Sequence, residues 1–197
     1  VIRPSRNYQD VYQNLEWAYG QKPDPQLIQA LQGVPRGRAV DLGGGQGRHA
    51  IALAKLGFEV ELVDNAPAGL EQAAAFSRSL GLDIAFTRGD VVSFRPAPGL
   101  QVAVASLLFY IPGVNASLRA AARVGAALKP GGLFYVSLPG FTPERKGLAG
   151  ALIDVAGCKL EWMVKHVVTS LDRPRLQVSR RNETRALGVR VDPVGTE

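Results

Sequence analysis

The ten residues Ala39-Val40-Asp41-Leu42-Gly43-Gly44-Gly45-Gln46-Gly47-Arg48 constrain this chain more than any other stretch. A short apolar run ends in an acid, turns through glycines at alternate positions and enters a helix. The apolar face of Ile51, Ala52, Ala54 and Leu56 predicts that helix over Arg48 to Leu56. Such a turn lets backbone approach a ligand closely, because Gly has no Cβ and tolerates positive φ. The next expected strand, Phe58 to Val63, ends at Asp64. That is about 20 residues beyond the loop, where a ribose-binding acid belongs in a nucleotide-binding βαβ unit.

Two glycine patterns compete for the loop. The dinucleotide fingerprint GxGxxG, read from Gly43, places Arg48 where its last glycine is needed for helix–strand packing. The pattern present is Asp-x-Gly-x-Gly-x-Gly, with an acid at its head. An acid suits a ligand carrying a cationic amino group better than it suits a pyrophosphate.

The rest of the chain reads as alternating helices and strands. Tyr8, Tyr12, Leu15 and Tyr19 form one stripe of a helix over Asn7 to Gly20, and Pro25 opens a second over Gln26 to Leu31. Arg38 to Leu42 is the first strand, Pro67 to Leu80 a helix, Asp83 to Arg88 the third strand and Gln101 to Ser106 the fourth. An Ala-rich helix over Asn115 to Leu128 closes on Lys129-Pro130-Gly131-Gly132, before a fifth strand over Leu133 to Leu138. A last helix, Pro143 to Ala156, precedes two strands, Glu161 to Thr169 and Gln177 to Val191, joined by Ser170 to Arg175. The alternation predicts an α/β fold, a doubly wound sheet with helices on both faces.

In such sheets the ligand sits beyond the carboxyl ends of the strands. Gly43, Gly45 and Gly47 follow the first strand. Asp64, with its neighbour Asn65, ends the second and offers two acceptors to ribose hydroxyls. Asp90 ends the third, placed for an adenine amino group with the Val91 amide beside it. Ser106 and Leu107 end the fourth.

With these four ends in register, the segment from about Arg38 to Leu138 resembles the class I S-adenosylmethionine (SAM)-dependent methyltransferases. Asp41, Gly43, Gly45 and Gly47 match the first motif, Asp64 the ribose acid, Asp90 the adenine-facing acid, and Leu128 to Gly132 the turn before the fifth strand. Within that family, Gly47-Arg48-His49-Ala50 and Trp17-Ala18-Tyr19-Gly20 look like the small-molecule branch with tellurite-resistance (TehB-type) and thiopurine methyltransferases. The resemblance implies a Rossmann-like sheet of about seven strands in the order 3-2-1-4-5-7-6, the last strand antiparallel. It implies one domain: a helical cap over 1–37, a SAM-binding core over 38–138, and a closing helix and strand pair over 139–197. It also implies SAM as donor, S-adenosylhomocysteine as product, and Ser106 and Leu107 facing the methionine part.

There are departures from the family pattern. Gly44 stands where many relatives carry Cys, and the fourth strand lacks the acid often found near its start. It also lacks the Asn/Asp-Pro-Pro-aromatic clamp of amino-directed nucleic-acid methyltransferases. Cys158 has no preceding Pro and is expected to be buried rather than a nucleophile.

Methyl transfer from a sulfonium needs alignment above all, and a general base only for an acceptor with a high-pKa proton. His49 and His166 are expected to be structural, and no catalytic residue is assigned. Arg48 is available to the SAM carboxylate or to helix packing. Tyr8, Tyr12, Trp17, Tyr19, Phe109 and Tyr110 are the candidates for the acceptor pocket, the alternative for the N-terminal stripe being core packing.

Charge bears on partners. The chain carries 23 Lys+Arg against 17 Asp+Glu, and Arg173, Arg175, Arg180, Arg181, Arg185 and Arg190 face few acids. This keeps an RNA-directed methyltransferase as an alternative to a small-molecule enzyme, and a non-catalytic SAM-binding protein is a third reading. One cysteine and two histidines predict no metal cluster. The longest apolar stretch, Val102 to Val114, is too short to span a bilayer. The first residues lack an apolar signal region, so the expectation is a cytoplasmic protein without membrane attachment.

Overall fold

The computed structural model describes residues 7–172 and 177–191. Its elements are α1 (Tyr8–Asn14), α2 (Pro25–Ala30), β1 (Arg38–Leu42), α3 (Arg48–Lys55), β2 (Glu59–Asp64), α4 (Pro67–Ser79) and β3 (Ile84–Arg88). They continue with β4 (Leu100–Ser106), α5 (Val114–Ala127), β5 (Leu128–Pro139), α6 (Pro143–Val155), β6 (Cys158–Asp172) and β7 (Gln177–Arg190). The seven strands form one sheet in the order β3-β2-β1-β4-β5-β7-β6. β1 pairs in parallel with β2 and β4, as do β2 with β3 and β4 with β5; β7 runs antiparallel to both β5 and β6.

Strand period divides the core between the two faces of the sheet. On β4, Val102 and Val104 join the apolar cluster with Leu27 of α2, Leu53 of α3 and Ala73 of α4. Ala103 and Ala105 join the cluster with Val124 of α5 and Leu152 and Ile153 of α6. Burial on both faces explains why β4 reads as a continuous apolar run rather than an alternation.

Two elements differ from the sequence expectation. The stripe over Asn7 to Gly20 yields only α1, because Gln46 takes the chain beyond it: its Oε1 accepts from Ala18 N at 2.7 Å and its Nε2 donates to Leu15 O at 2.9 Å. Those peptide groups are thereby lost to a helix, and Trp17 stands at φ 54°. The turn expected over Leu128 to Gly132 lies inside β5. Pairing with β4 passes from Leu100–Leu128 to Val102–Leu133, so 129–132 loop out as a bulge.

The basic set does not form a described surface. Arg185 is buried in ion pairs, and Arg190 donates to Ala156 O. Arg173 and Arg175 lie outside the described residues, as do the side chains of Arg180, Arg181 and His166. Among the described residues no helix is long and apolar enough to cross a membrane.

Candidate functional site

The carboxyl ends of β1 to β4 open onto one cavity of about 150 Å³. Its floor is the glycine loop. Gly43 N donates to Val63 O at 2.7 Å and Gly47 N to Gly44 O at 2.9 Å, which folds the loop back on itself. Gly47, at φ 83°, is the left-handed N-cap of α3, a conformation costly for any residue with a Cβ.

Two acids fix the loop and the helix it enters. Asp64 Oδ2 accepts from Gly45 N and its Oδ1 from Ala66 N, both at 2.8 Å. Asp41 Oδ2 accepts from Ala50 N at 3.0 Å, while its buried Oδ1 has no hydrogen-bond partner among the described residues. Burial raises the Asp41 pKa to about 6, against the opposing pull of His49, the Ala50 amide and Arg48. Burial also raises Asp64, which the Ala66, Gly45 and Asn65 amides oppose.

The remaining sequence candidates fall around this floor. Asn65, Asp90, Val91, Ser106 and Leu107 line the cavity together with Asp41, Gly43, Gly47 and Asp64. Gly45 contributes its amide to Asp64 and lies beneath Tyr12, whose Cζ would be 2.7 Å from a Cβ placed there. Asp90 is exposed, and its Oδ1 caps the Val92 amide at 2.9 Å. Ser106 Oγ is 2.8 Å from Ser137 Oγ. Leu107, at φ 54°, ends β4 with its amide on Ser137 O at 2.9 Å.

The aromatic candidates separate. Tyr8, Tyr12 and Tyr19 line the cavity, and Tyr8 Oη is 3.2 Å from Tyr110 Oη. Burial raises the pKa of Tyr8, as does its bond to Tyr110; burial and the nearby Asp64 raise that of Tyr12. Trp17 packs edge-on against Phe76 of α4, ring centroids 4.8 Å apart, away from the cavity. Phe109 is also placed differently from the expectation. It is 0% exposed and packs edge-on against Phe134, because the turn at Leu107 sends it into the core and leaves Leu108 on the cavity wall.

Residues that sequence reading did not place in the site include Gln46, Leu108, Ile111 and Pro112, all lining the cavity. Behind its wall lies a buried polar cluster centred on Asp24. Arg48, at the first turn of α3, meets Asp24 Oδ1 at 3.5 Å, and Arg185 meets the same oxygen at 3.0 Å. Tyr135 donates to Asp24 Oδ2 at 2.9 Å, and Asp24 N donates to His49 Nε2 at 3.3 Å. Burial alone would raise the Asp24 pKa, but His49, Arg48 and Arg185 together hold it well below the usual carboxylate range. The sequence signal was present only as an acid between two prolines.

Comparison with known proteins agrees with this geometry. Residues 39–132 match the model of a methyltransferase domain. A ubiquinone biosynthesis O-methyltransferase from Xanthomonas campestris pv. campestris is 29% identical over 125 residues, 62% of this chain and 51% of the relative. The chain thus spans about half the length of the curated relatives it matches. TehB from Haemophilus influenzae superposes with a TM-score of 0.72 at 13% identity, covering 85% of this chain and 62% of TehB. A protein solved in a study of the conversion of a disulfide bond into a thioacetal group during echinomycin biosynthesis gives 0.73 at 18% identity, covering 93% and 91%. Glycine loop, strand order and cavity thus belong to one fold, and residues 39–132 resemble a methyltransferase domain within a fold like that of TehB, as in the class I SAM-dependent methyltransferases.

Proposed function

We propose that this chain binds SAM in the cavity above the glycine loop and transfers its methyl group to a small molecule by in-line displacement. The observation that carries this reading is the convergence of four strand ends on one cavity lined by Asp41, whose buried Oδ1 has no hydrogen-bond partner among the described residues. A buried carboxylate oxygen without a donor is costly, and the cationic amino group of a methionine moiety answers it. The Asp64 carboxylate accepts from the Gly45 and Ala66 amides, with the Asn65 amide also beside it, and its remaining lone pairs are available to a ribose hydroxyl. Asp90 and the Val91 amide stand where an adenine edge would be read.

When bound, SAM supplies an electrophilic methyl group. The chain aligns the reactants and excludes water, the tyrosines of α1 covering one side. Tyr8 and Tyr12, with raised pKa values, stay protonated at neutral pH. They orient an acceptor that brings its own lone pair rather than deprotonate it. The O-methyltransferase activity named for the Xanthomonas relatives supports a small organic acceptor. A binding protein without turnover would need Phe109 and Tyr110 to fill the space above Ser106, and Phe109 lies in the core instead. An RNA acceptor finds no support from Arg185 or Arg190, both turned to internal partners.

Calorimetric titration with SAM, S-adenosylhomocysteine and NAD tests the reading. Binding of the first two and not of NAD is expected; binding of NAD alone overturns it. Titration with tRNA at two salt concentrations tests the macromolecular alternative, whose affinity would fall steeply with salt.

A further inference from the structure

Asp24 occupies the N-cap of α2, yet its side chain makes no capping bond to that helix. An Asp at this position ordinarily accepts an amide of the first turn. Its carboxylate is instead turned inward, 2% exposed, toward Tyr135, Arg185 and Arg48. Arg185 has a second acid, Glu183 Oε2 at 3.0 Å. Among the described residues Arg48 makes its ion pair with Asp24, while Asp41 feels it only at longer range, so Asp24 is its nearest counter-charge.

The Arg48 guanidinium is held by three contacts through its two terminal nitrogens. Nη1 donates to Tyr19 O at 3.3 Å, Nη2 donates to Ser106 Oγ at 3.1 Å, and Nη2 meets Asp24 Oδ1 at 3.5 Å. Arg presents five N–H groups in a rigid fork, and these contacts leave some of them for the cavity that Arg48 lines. With Nη2 turned to Ser106 and Asp24, the Nε–H and the second Nη1–H remain, and a fixed cation with free N–H groups suits a carboxylate through charge-assisted bonds. Asp41, which lines the same cavity and whose Oδ1 has no partner among the described residues, offers the opposite charge. An anion-reading fork and a cation-reading acid facing one cavity describe a receptor for the two charges of an α-amino acid.

We propose that Asp24 is a positioning residue that sets Arg48 to receive the carboxylate of the donor's amino-acid end. This rests on the donor reading above. Asp24 acts through Arg48 and touches no ligand atom itself.

The test compares S-adenosylhomocysteine with 5′-methylthioadenosine, which keeps the nucleoside and sulfur but lacks the amino-acid end. Affinities are measured by calorimetry on the whole chain, with melting temperatures alongside. Arg48→Met should weaken S-adenosylhomocysteine by about tenfold or more while changing 5′-methylthioadenosine by less than about twofold. Asp24→Asn should show the same selective loss, smaller in size, and should add nothing to the selectivity change in the Arg48→Met background. Removing a buried counter-charge is hazardous to the fold, so Arg48→Lys is the second variant. It keeps the cation but cannot span Ser106 and Asp24, and the same selective loss is expected. Equal loss of both ligands in Asp24→Asn, or full affinity in Arg48→Lys, overturns the proposal while leaving the donor reading intact. Failure of the unaltered chain to bind either ligand overturns the donor reading, and the proposal with it.

Discussion

The backbone amide of Gly45 donates to Asp64 Oδ2 across 2.8 Å, so the acid at the end of β2 also fastens the glycine loop that follows β1. One side chain therefore shapes the floor of the cavity and presents acceptors to whatever enters it. Asp64→Ala removes the acceptor of two buried amides, Gly45 and Ala66. Each amide left unsatisfied costs about 1–3 kcal/mol. The expected outcome is a lower melting temperature together with donor affinity reduced by about tenfold or more. Asp64→Asn, which keeps one acceptor oxygen, should fall between the two. Unchanged affinity for S-adenosylhomocysteine in Asp64→Ala would take Asp64 out of the site.

Gly45 itself, at φ 52°, lies under the Tyr12 ring with no room for a methyl group. A left-handed backbone costs a residue with a Cβ about 1–2 kcal/mol, and the contact with Tyr12 adds to this. Gly45→Ala is therefore expected to loosen α1 and to destabilise the chain by about 2–3 kcal/mol. Limited proteolysis should then cut between α1 and α2. Tyr12→Ala in the same background removes the collision but not the backbone strain, so the proteolytic sensitivity should remain while part of the Gly45→Ala destabilisation disappears. Full additivity of the two losses would show that Tyr12 does not rest on the loop.

Asp41 predicts opposite pH trends for stability and binding. Its folded-state pKa of about 6 lies above the ordinary 3.8, so the folded chain binds the extra proton between those values. Stability from this group therefore increases as pH falls from about 7 toward 4, each pKa unit being worth about 1.4 kcal/mol. Asp64, also raised, acts in the same direction. Asp24, lowered, contributes stability that is lost only on acidification below 3.8. Donor affinity moves the other way, because a protonated Asp41 no longer attracts a cationic amino group. Chemical denaturation and calorimetry at pH 7 and pH 5.5 measure both, and Asp41→Asn should flatten both. Parallel trends would contradict the role given to Asp41.

The βαβ units and the glycine loop were legible because their signals are local: an apolar period, a terminal acid and glycines where φ is positive. The strand order also followed, through family resemblance rather than through the residues alone. The Asp24 cluster was not legible, since Tyr135 bonds to an acid 111 residues away whose only local mark is its place between two prolines. Phe109 was misplaced for a different reason. In Ser106-Leu107-Leu108-Phe109-Tyr110 every side chain after the serine is bulky and apolar or aromatic, and the facing of each depends on the turn at Leu107, whose φ of 54° is unusual for a leucine. Trp17 follows the same logic, its positive φ set by the grip of Gln46 on either side of it.

The aromatic pair at the cavity mouth gives the last prediction. Tyr8 Oη and Tyr110 Oη meet at 3.2 Å, and the Arg145 guanidinium lies 5.6 Å from the centre of the Tyr110 ring. The pair joins α1 to the segment after β4, Tyr8 lining the cavity and Tyr110 meeting Tyr8. Losing one hydroxyl removes a single bond between neutral groups, worth about 1 kcal/mol, and leaves the donor's floor untouched. Tyr8→Phe and Tyr110→Phe should therefore keep S-adenosylhomocysteine affinity within about twofold, while kcat/KM for the acceptor changes by about tenfold. Phe109→Ala should behave differently. It opens a hole beside Phe134 and costs about 3–5 kcal/mol of stability, with no selective effect on the acceptor in whatever fraction stays folded. If Tyr8→Phe weakens S-adenosylhomocysteine as much as Asp64→Ala does, the tyrosines belong to the donor site and the division drawn here between floor and mouth fails.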